Sequence, residues 1–249
     1  MNDTELERYS RHILLNEFDI AGQEKLKRAT VLIVGCGGLA NACAPILASA
    51  GLGHLIVCDG DTIESSNLQR QTSFTQADIG LNKAEVLKAY LQARNHLIQI
   101  SSVNQYIDED LLKHYLPKCD AVIDCSDNSQ TRHLINRMAV QHRIPLISAS
   151  VIQFSGQLAV FDSRNSQSPC YACLFPQPQT QENTCTKNGV FAPLVHIIGA
   201  AQAAEAMKII GNLGTSSLGK IVHFEGLNFE TVVFALDRRN DCPVCQSQF

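Results

Sequence analysis

The chain has 249 residues, 45% of them hydrophobic and 18% charged, with a formal charge of −4. That length and apolar share suit one α/β unit with a sizeable core and exclude wholesale disorder. The charge is too weak, and basic runs too scarce, for a nucleic-acid partner; no apolar stretch approaching ~20 residues signals a membrane span.

In chain order, the first segment, MNDTELERYSRHILL, is charged and has no apolar signal core, which points to a cytoplasmic protein. Thr30–Val34 is a short apolar run ending at glycine and predicts a buried strand. Gly38–Ala50, rich in alanine and leucine, predicts a helix closed by Gly51, and His54–Cys58 a second strand ending at Asp59. Lys83–Arg94 has helical periodicity, Gln99–Asn104 predicts a third strand, and Asp108–Leu116 a helix stopped by Pro117. Ala121–Asp124 predicts a strand, Ser129–His142 a helix, and Pro145–Ser150 and Gln157–Phe161 two further strands. Phe175–Gly189, FPQPQTQENTCTKNG, is polar and is the most linker-like stretch. Ala192–Ile210 predicts a long helix broken at Gly211, and Lys220–Phe224 with Thr231–Leu236 an antiparallel hairpin. Strands alternating with helices imply a Rossmann-like, doubly wound, mostly parallel sheet, with antiparallel C-terminal strands extending one edge.

Gly35-Cys36-Gly37-Gly38-Leu39-Ala40 fits the pattern G-x-G-x-x-G/A between a strand and a helix. Gly35 would allow the tight turn, and Gly37 the approach of a phosphate to the helix N-terminus. Asp59, 24 residues after Gly35, is placed to accept ribose hydroxyls. The loop alone is compatible with NAD, with ATP, or with a bare turn. Arg70, Lys83, Asp127 and Asn128 follow successive strands, and groups beyond the carboxyl ends of parallel strands share one crevice. Two cations and a carboxylate suit a triphosphate with magnesium, which a hydride-transfer site has no need of.

Ten cysteines in a reducing compartment read as metal ligands or thiols rather than disulfides. Cys170-Tyr-Ala-Cys173 and Cys242-Pro-Val-Cys245 have the spacing of zinc knuckles. With 68 residues between the pairs, a shared zinc site would be tertiary and structural, pinning the C-terminal tail; free or redox thiols are the alternative. Cys185 sits in the polar stretch ENTCTKNGV, beside Lys187, as a reactive thiol or an incidental one. Cys36, Cys43, Cys58, Cys119 and Cys125 are expected to pack as small hydrophobes.

RYSRHILL, VGCGGLA, DGDTIESSNLQRQ, the Lys83 helix start, DCSDN and the paired CxxC motifs together resemble the ThiF/MoeB family, from about Arg8 to Cys245. These are adenylyltransferases related to ubiquitin-activating enzymes. The resemblance implies ATP, not NAD, with magnesium and zinc. It implies adenylation of the C-terminal glycine carboxylate of a ubiquitin-like sulfur carrier, ThiS-like or MoaD-like. Pyrophosphate would leave, and sulfur transfer for thiamine or molybdopterin cofactor biosynthesis would follow. Within a nucleotide site that takes in Gly35, Gly37, Gly38, Asp61 and Asn128, it implies ribose binding by Asp59. Asn67, Arg70 and Lys83 would contact phosphates, and Asp127 would hold magnesium. Arg11 would reach the terminal phosphate in the partner's site of a homodimer. Cys185 matches a cysteine that is covalently linked to the carrier in some relatives and dispensable in others. Ala40 departs from the family's third glycine at a packing position. A single adenylation domain is expected over 1–249: a helical segment 1–29, a nucleotide-binding core 30–150, and a carrier-binding and zinc region 151–249. No sulfurtransferase segment is recognisable, so the sulfur donor, a cysteine desulfurase or a sulfurtransferase, is expected to be a separate protein. An NAD-dependent oxidoreductase and a non-catalytic carrier-binding scaffold are the rival readings.

Overall fold

The computed structural model describes residues 1–176 and 189–246. Three helices open the chain, α1 (Asp3–Arg8), α2 (Ser10–Ile13) and α3 (Asp19–Arg28). The first is closed by a capping box: Asn2 accepts from the Glu5 N–H while the Glu5 carboxylate takes the Asn2 N–H.

There follow β1 (Thr30–Val34), α4 (Gly38–Ala50), β2 (His54–Cys58), α5 (Lys83–Arg94), β3 (Gln99–Val103), α6 (Glu109–Tyr115), β4 (Ala121–Asp124) and α7 (Ser129–His142). Then come β5 (Leu146–Ile152), β6 (Ser155–Phe161), the short α8 (Tyr171–Leu174), α9 (Ala192–Gly211), β7 (Lys220–Glu225) and β8 (Glu230–Ala235). One eight-stranded sheet runs β3-β2-β1-β4-β5-β6-β7-β8. Strands β3 to β5 are mutually parallel, and β6, β7 and β8 extend the β5 edge as antiparallel neighbours.

The strands read as continuous apolar runs because both faces are covered. Side chains alternate across a strand. Val31 and Ile33 therefore pack with α4, α5 and α9, whereas Leu32 and Val34 pack with α6 and α7. Parallel strands must all point one way, so their carboxyl ends bring Gly35, Asp59 and Cys125 to the same rim of the sheet.

Two expectations change. Helix α9 is 20 residues long and apolar enough to cross a membrane by length and composition. The sequence reading missed this because Glu205 and Lys208 interrupt the run. Its contacts are with α3, α4, β4, β5 and β6, which makes it the core helix of this fold. Its end also differs: Gly211 is still helical, and Asn212 caps it in the left-handed conformation, φ 63°. Asparagine tolerates that region better than other non-glycine residues. Most of the stretch expected as a linker, 177–188, lies outside the described residues, and Cys185 with it.

Candidate active site

The glycine loop is held by its neighbours before any ligand is considered. Gly35 sits at φ +88°, and a Cβ there would stand 2.7 Å from the Cys125 carbonyl oxygen at the end of β4. Gly38 faces α9, where a Cβ would stand 2.6 Å from Val195 Cγ1. Gly37 is different: the nearest atom to a Cβ there is Gln71 Nε2 at 3.9 Å, so its surroundings are open. The expected division of labour follows. Gly35→Ala should cost about 2–4 kcal/mol through strain and clash. Gly37→Ala should stay within about 1 kcal/mol, since it only trades a helix N-cap preference. Urea unfolding of the two variants checks this, and equal losses would remove the distinction.

Asp59 braces the loop. One carboxylate oxygen accepts the Cys36 N–H at 2.6 Å and the other the Asp61 N–H at 2.8 Å. Burial pushes its pKa above the ordinary aspartate value, and those two N–H groups pull against the rise. Asn41, buried in α4, donates to the Cys36 and Gly37 carbonyls and accepts from the Ser73 N–H, tying the loop to the segment after Arg70.

Asn82 caps α5 and donates to the Asp59 and Asp61 carbonyls, which sets the start of that helix against the end of β2. Lys83 is therefore delivered to the cleft as the first helical residue. Its side chain is only 10% exposed and its Nζ pairs with Asp61 Oδ2 at 2.8 Å. Asp61 Oδ1 accepts from the Tyr106 hydroxyl at 2.6 Å. Burial would raise the Asp61 pKa, but the hydrogen bonds from Lys83 and Tyr106 outweigh it and hold the carboxyl below its ordinary value. Asn67 closes a short 3-10 turn with Glu64, and Arg70 donates to the Ser66 carbonyl at 2.9 Å, with its Cγ 3.5 Å from the Cβ position of Gly38.

After β4 two aspartates compete for attention. Asp124 is buried and its carboxylate accepts from Ser126 N–H, Ser126 Oγ and Ser148 Oγ at 3.0, 2.6 and 2.8 Å. Its capacity is spent on the turn. Asp127 is exposed, with no hydrogen bond or ion pair among the described residues, so its oxygens are available to a hard cation such as magnesium. Asn128 caps α7 through the Thr131 N–H.

Gly35, Gly37, Gly38, Asp59, Asp61, Asn67, Arg70, Lys83, Asp127 and Asn128 all line one cleft of about 970 Å³. Arg11 does not. It is exposed on α2, with exposed Leu14, Leu15 and Ile20 nearby in sequence. The sequence reading missed Tyr106 and Arg132, which also line the cleft. Tyr106 follows β3, where the strand-end rule applies as it does to Asp59. Arg132 lies one turn into α7 after Asn128 and donates to the Ser126 carbonyl at 2.6 Å.

Cys170, Cys173, Cys242 and Cys245 are buried, with all four sulfurs within 4.8 Å of one another. The closest pairs are 3.6, 3.6 and 4.0 Å apart, far beyond a disulfide. Tetrahedral Zn–S bonds of ~2.3 Å require sulfurs about 3.8 Å apart, so the four fit zinc. The other five described cysteines are buried. Burial raises the thiol pKa of Cys58 and Cys119 to about 12 and pushes that of Cys43 up as well.

Comparison with known proteins gives a concordant picture. The profile of the ThiF family matches residues 9–244. The chain is 41% identical over 245 residues to the sulfur carrier protein ThiS adenylyltransferase of Escherichia coli, covering 98% of this chain and 97% of that protein. It is 40% identical over 245 residues to the molybdopterin-synthase adenylyltransferase of Salmonella typhimurium, covering 98% of each. Among solved structures, Escherichia coli MccB with ATP is similar at a TM-score of 0.84 and 31% identity, over 98% of this chain and 75% of that one.

Proposed function

This chain belongs to the ThiF family, and from that premise we propose that it adenylates the C-terminal glycine carboxylate of a ubiquitin-like sulfur carrier. The observation that carries the proposal is the convergence of a glycine loop, the Asp59 carboxylate, the Arg70 and Lys83 cations and the exposed Asp127 carboxylate on one cleft.

A carboxylate is a poor acyl donor because its oxygen leaves badly. Attack of that oxygen on the α-phosphate of ATP breaks the bond to the β-phosphate, forms an acyl-adenylate and releases pyrophosphate. The carboxylate is already ionised at neutral pH, so no general base is required. The work is positioning and charge neutralisation. Asp59 holds the ribose, Asn67 and Arg70 orient the phosphates, and Lys83 offsets charge growing on the departing pyrophosphate. Asp127 would hold magnesium, which would supply positive charge for the phosphates. The partner subunit's Arg11 reaches the terminal phosphate in a homodimer. The exposed Leu14, Leu15 and Ile20 near Arg11 in sequence support such an interface.

Residues 1–249 act as one adenylation domain in the cytoplasm, with the nucleotide held by 30–150 and the carrier by 151–249. β8 at the sheet edge exposes Val232, Val233 and Phe234, and the turn before it exposes Leu227 and Phe229, an apolar surface suited to the carrier. Sulfur from a separate donor, a cysteine desulfurase or a sulfurtransferase, then displaces AMP directly or by way of Cys185.

Exchange of labelled pyrophosphate into ATP tests the proposal. Thiamine-type and molybdopterin-type relatives match almost equally, so both carrier types enter the assay. Exchange dependent on one carrier with an intact C-terminal glycine is expected. A protein that reduces NAD with a small substrate, or binds a carrier without exchange, would overturn it.

A further inference from the structure

Tyr106 has no part in the roles above, yet its placement is specific. It follows β3 at the rim of the cleft and is 70% exposed. Exposed tyrosines usually sample several rotamers; this one is held at both ends. Its hydroxyl donates to Asp61 Oδ1 at 2.6 Å. Its ring packs over Gly60, where a Cβ would come within 2.8 Å of ring carbons and 2.7 Å of the Tyr106 backbone nitrogen. Only glycine at position 60 lets the ring lie this close. The loop is further tied to β2 by Cys58 Sγ, which donates to the Gln105 carbonyl at 3.3 Å.

Gly60 stands between Asp59 and Asp61, so the ring is seated one residue from the carboxylate assigned to the ribose. A nucleobase is bonded to that ribose and needs a flat apolar neighbour. Ile107, next in the chain, adds apolar lining on the same rim. An aromatic face already fixed in place loses little conformational freedom when a base stacks on it.

We propose that Tyr106 is the shelf on which the purine ring of the nucleotide stacks, with the Asp61 hydrogen bond keeping the shelf in position. The inference rests on the reading that this cleft binds a nucleoside triphosphate. Because Asp61 also pairs with Lys83, the seats for base and phosphates share one carboxylate.

Calorimetric titration of the full chain with ATP and with inorganic triphosphate, both with magnesium, tests it. Tyr106→Ala is expected to weaken ATP binding about tenfold while triphosphate binding stays within about twofold. Tyr106→Phe keeps the ring and is expected to remain within about threefold of the unsubstituted protein for ATP. Unchanged ATP affinity in Tyr106→Ala overturns the stacking role and leaves the ATP reading standing. A parallel loss for ATP and triphosphate also overturns it, because that reports a distorted cleft. Failure of the unsubstituted protein to bind ATP removes the inference together with the function beneath it.

Discussion

Lys83→Ala is expected to lower carrier-dependent pyrophosphate exchange by about 10²–10³-fold while leaving the protein folded. A donor aimed at charge that develops during the reaction typically contributes that much, and a side chain 10% exposed acts in a medium far less screening than water. The position is not incidental. Lys83 is the first residue of α5, that helix is fastened by Asn82 to the end of β2, and Asp61 holds the ammonium at 2.8 Å. The ammonium is thus oriented before the nucleotide arrives, so little reorganisation is left for the reaction. Stability should change by less than about 1 kcal/mol, because the Asp61 carboxylate left behind is 47% exposed, can be solvated and keeps its bond from the Tyr106 hydroxyl. Exchange rates and melting curves on the same preparation separate the two effects. A variant that keeps more than about a tenth of the exchange rate would move the charge-neutralising role to another residue.

Much of this cleft could be read from the sequence, for physical reasons that differ by residue. The β1–α4 loop was legible because strand, glycines and helix are contiguous and each glycine has a steric purpose. Asp59, Lys83 and Asp127 were legible because parallel strands force their ends together whatever the details of packing. The four clustered cysteines were legible as spaced pairs. What escaped depends on tertiary contact. Asn41 and Gln202 lie inside apolar helices and look like interruptions of a hydrophobic face. In the fold Asn41 holds the glycine loop, and Gln202 donates to the Asp124 carbonyl at 2.9 Å and to that of Ile147 at 3.3 Å, joining β4 to β5. The pairing of Lys83 with Asp61 is likewise silent in the sequence: 22 residues separate them and neither carries a motif for the other. Tyr106 is one aromatic after a strand, and its contacts with Gly60 and Asp61 are what set it apart. Helix α9 was found, but its Asn212 cap was not, because glycine at 211 is the stronger stop signal by composition.

Loss of zinc should be the largest stability effect available in this chain short of truncation. Cys170 and Cys173 flank Tyr171 at the start of α8, while Cys242 and Cys245 lie in the tail beyond β8. The apolar cluster around them is small, with Val140, Ala172 and Val244 as its other members, too little to hold the tail by burial alone. Other ties to the tail include the Arg239 N–H, which approaches Cys173 Sγ at 3.5 Å, and the Arg238 side chain, which donates to the carbonyls of Ser166 and Cys245. Zinc held by these four thiols would therefore supply folding free energy here. Free zinc a thousandfold above the dissociation constant would stabilise by about 4 kcal/mol. For a chain of this size that corresponds to a melting temperature higher by roughly 10 °C. One zinc per chain is expected by elemental analysis, and a strong chelator or Cys242→Ser should lower the melting temperature by about that amount. Exchange activity should follow, because Tyr171 between the two ligands also lines the cleft. A metal-free preparation that melts at the same temperature as the zinc-loaded one would reduce the four thiols to ordinary packing.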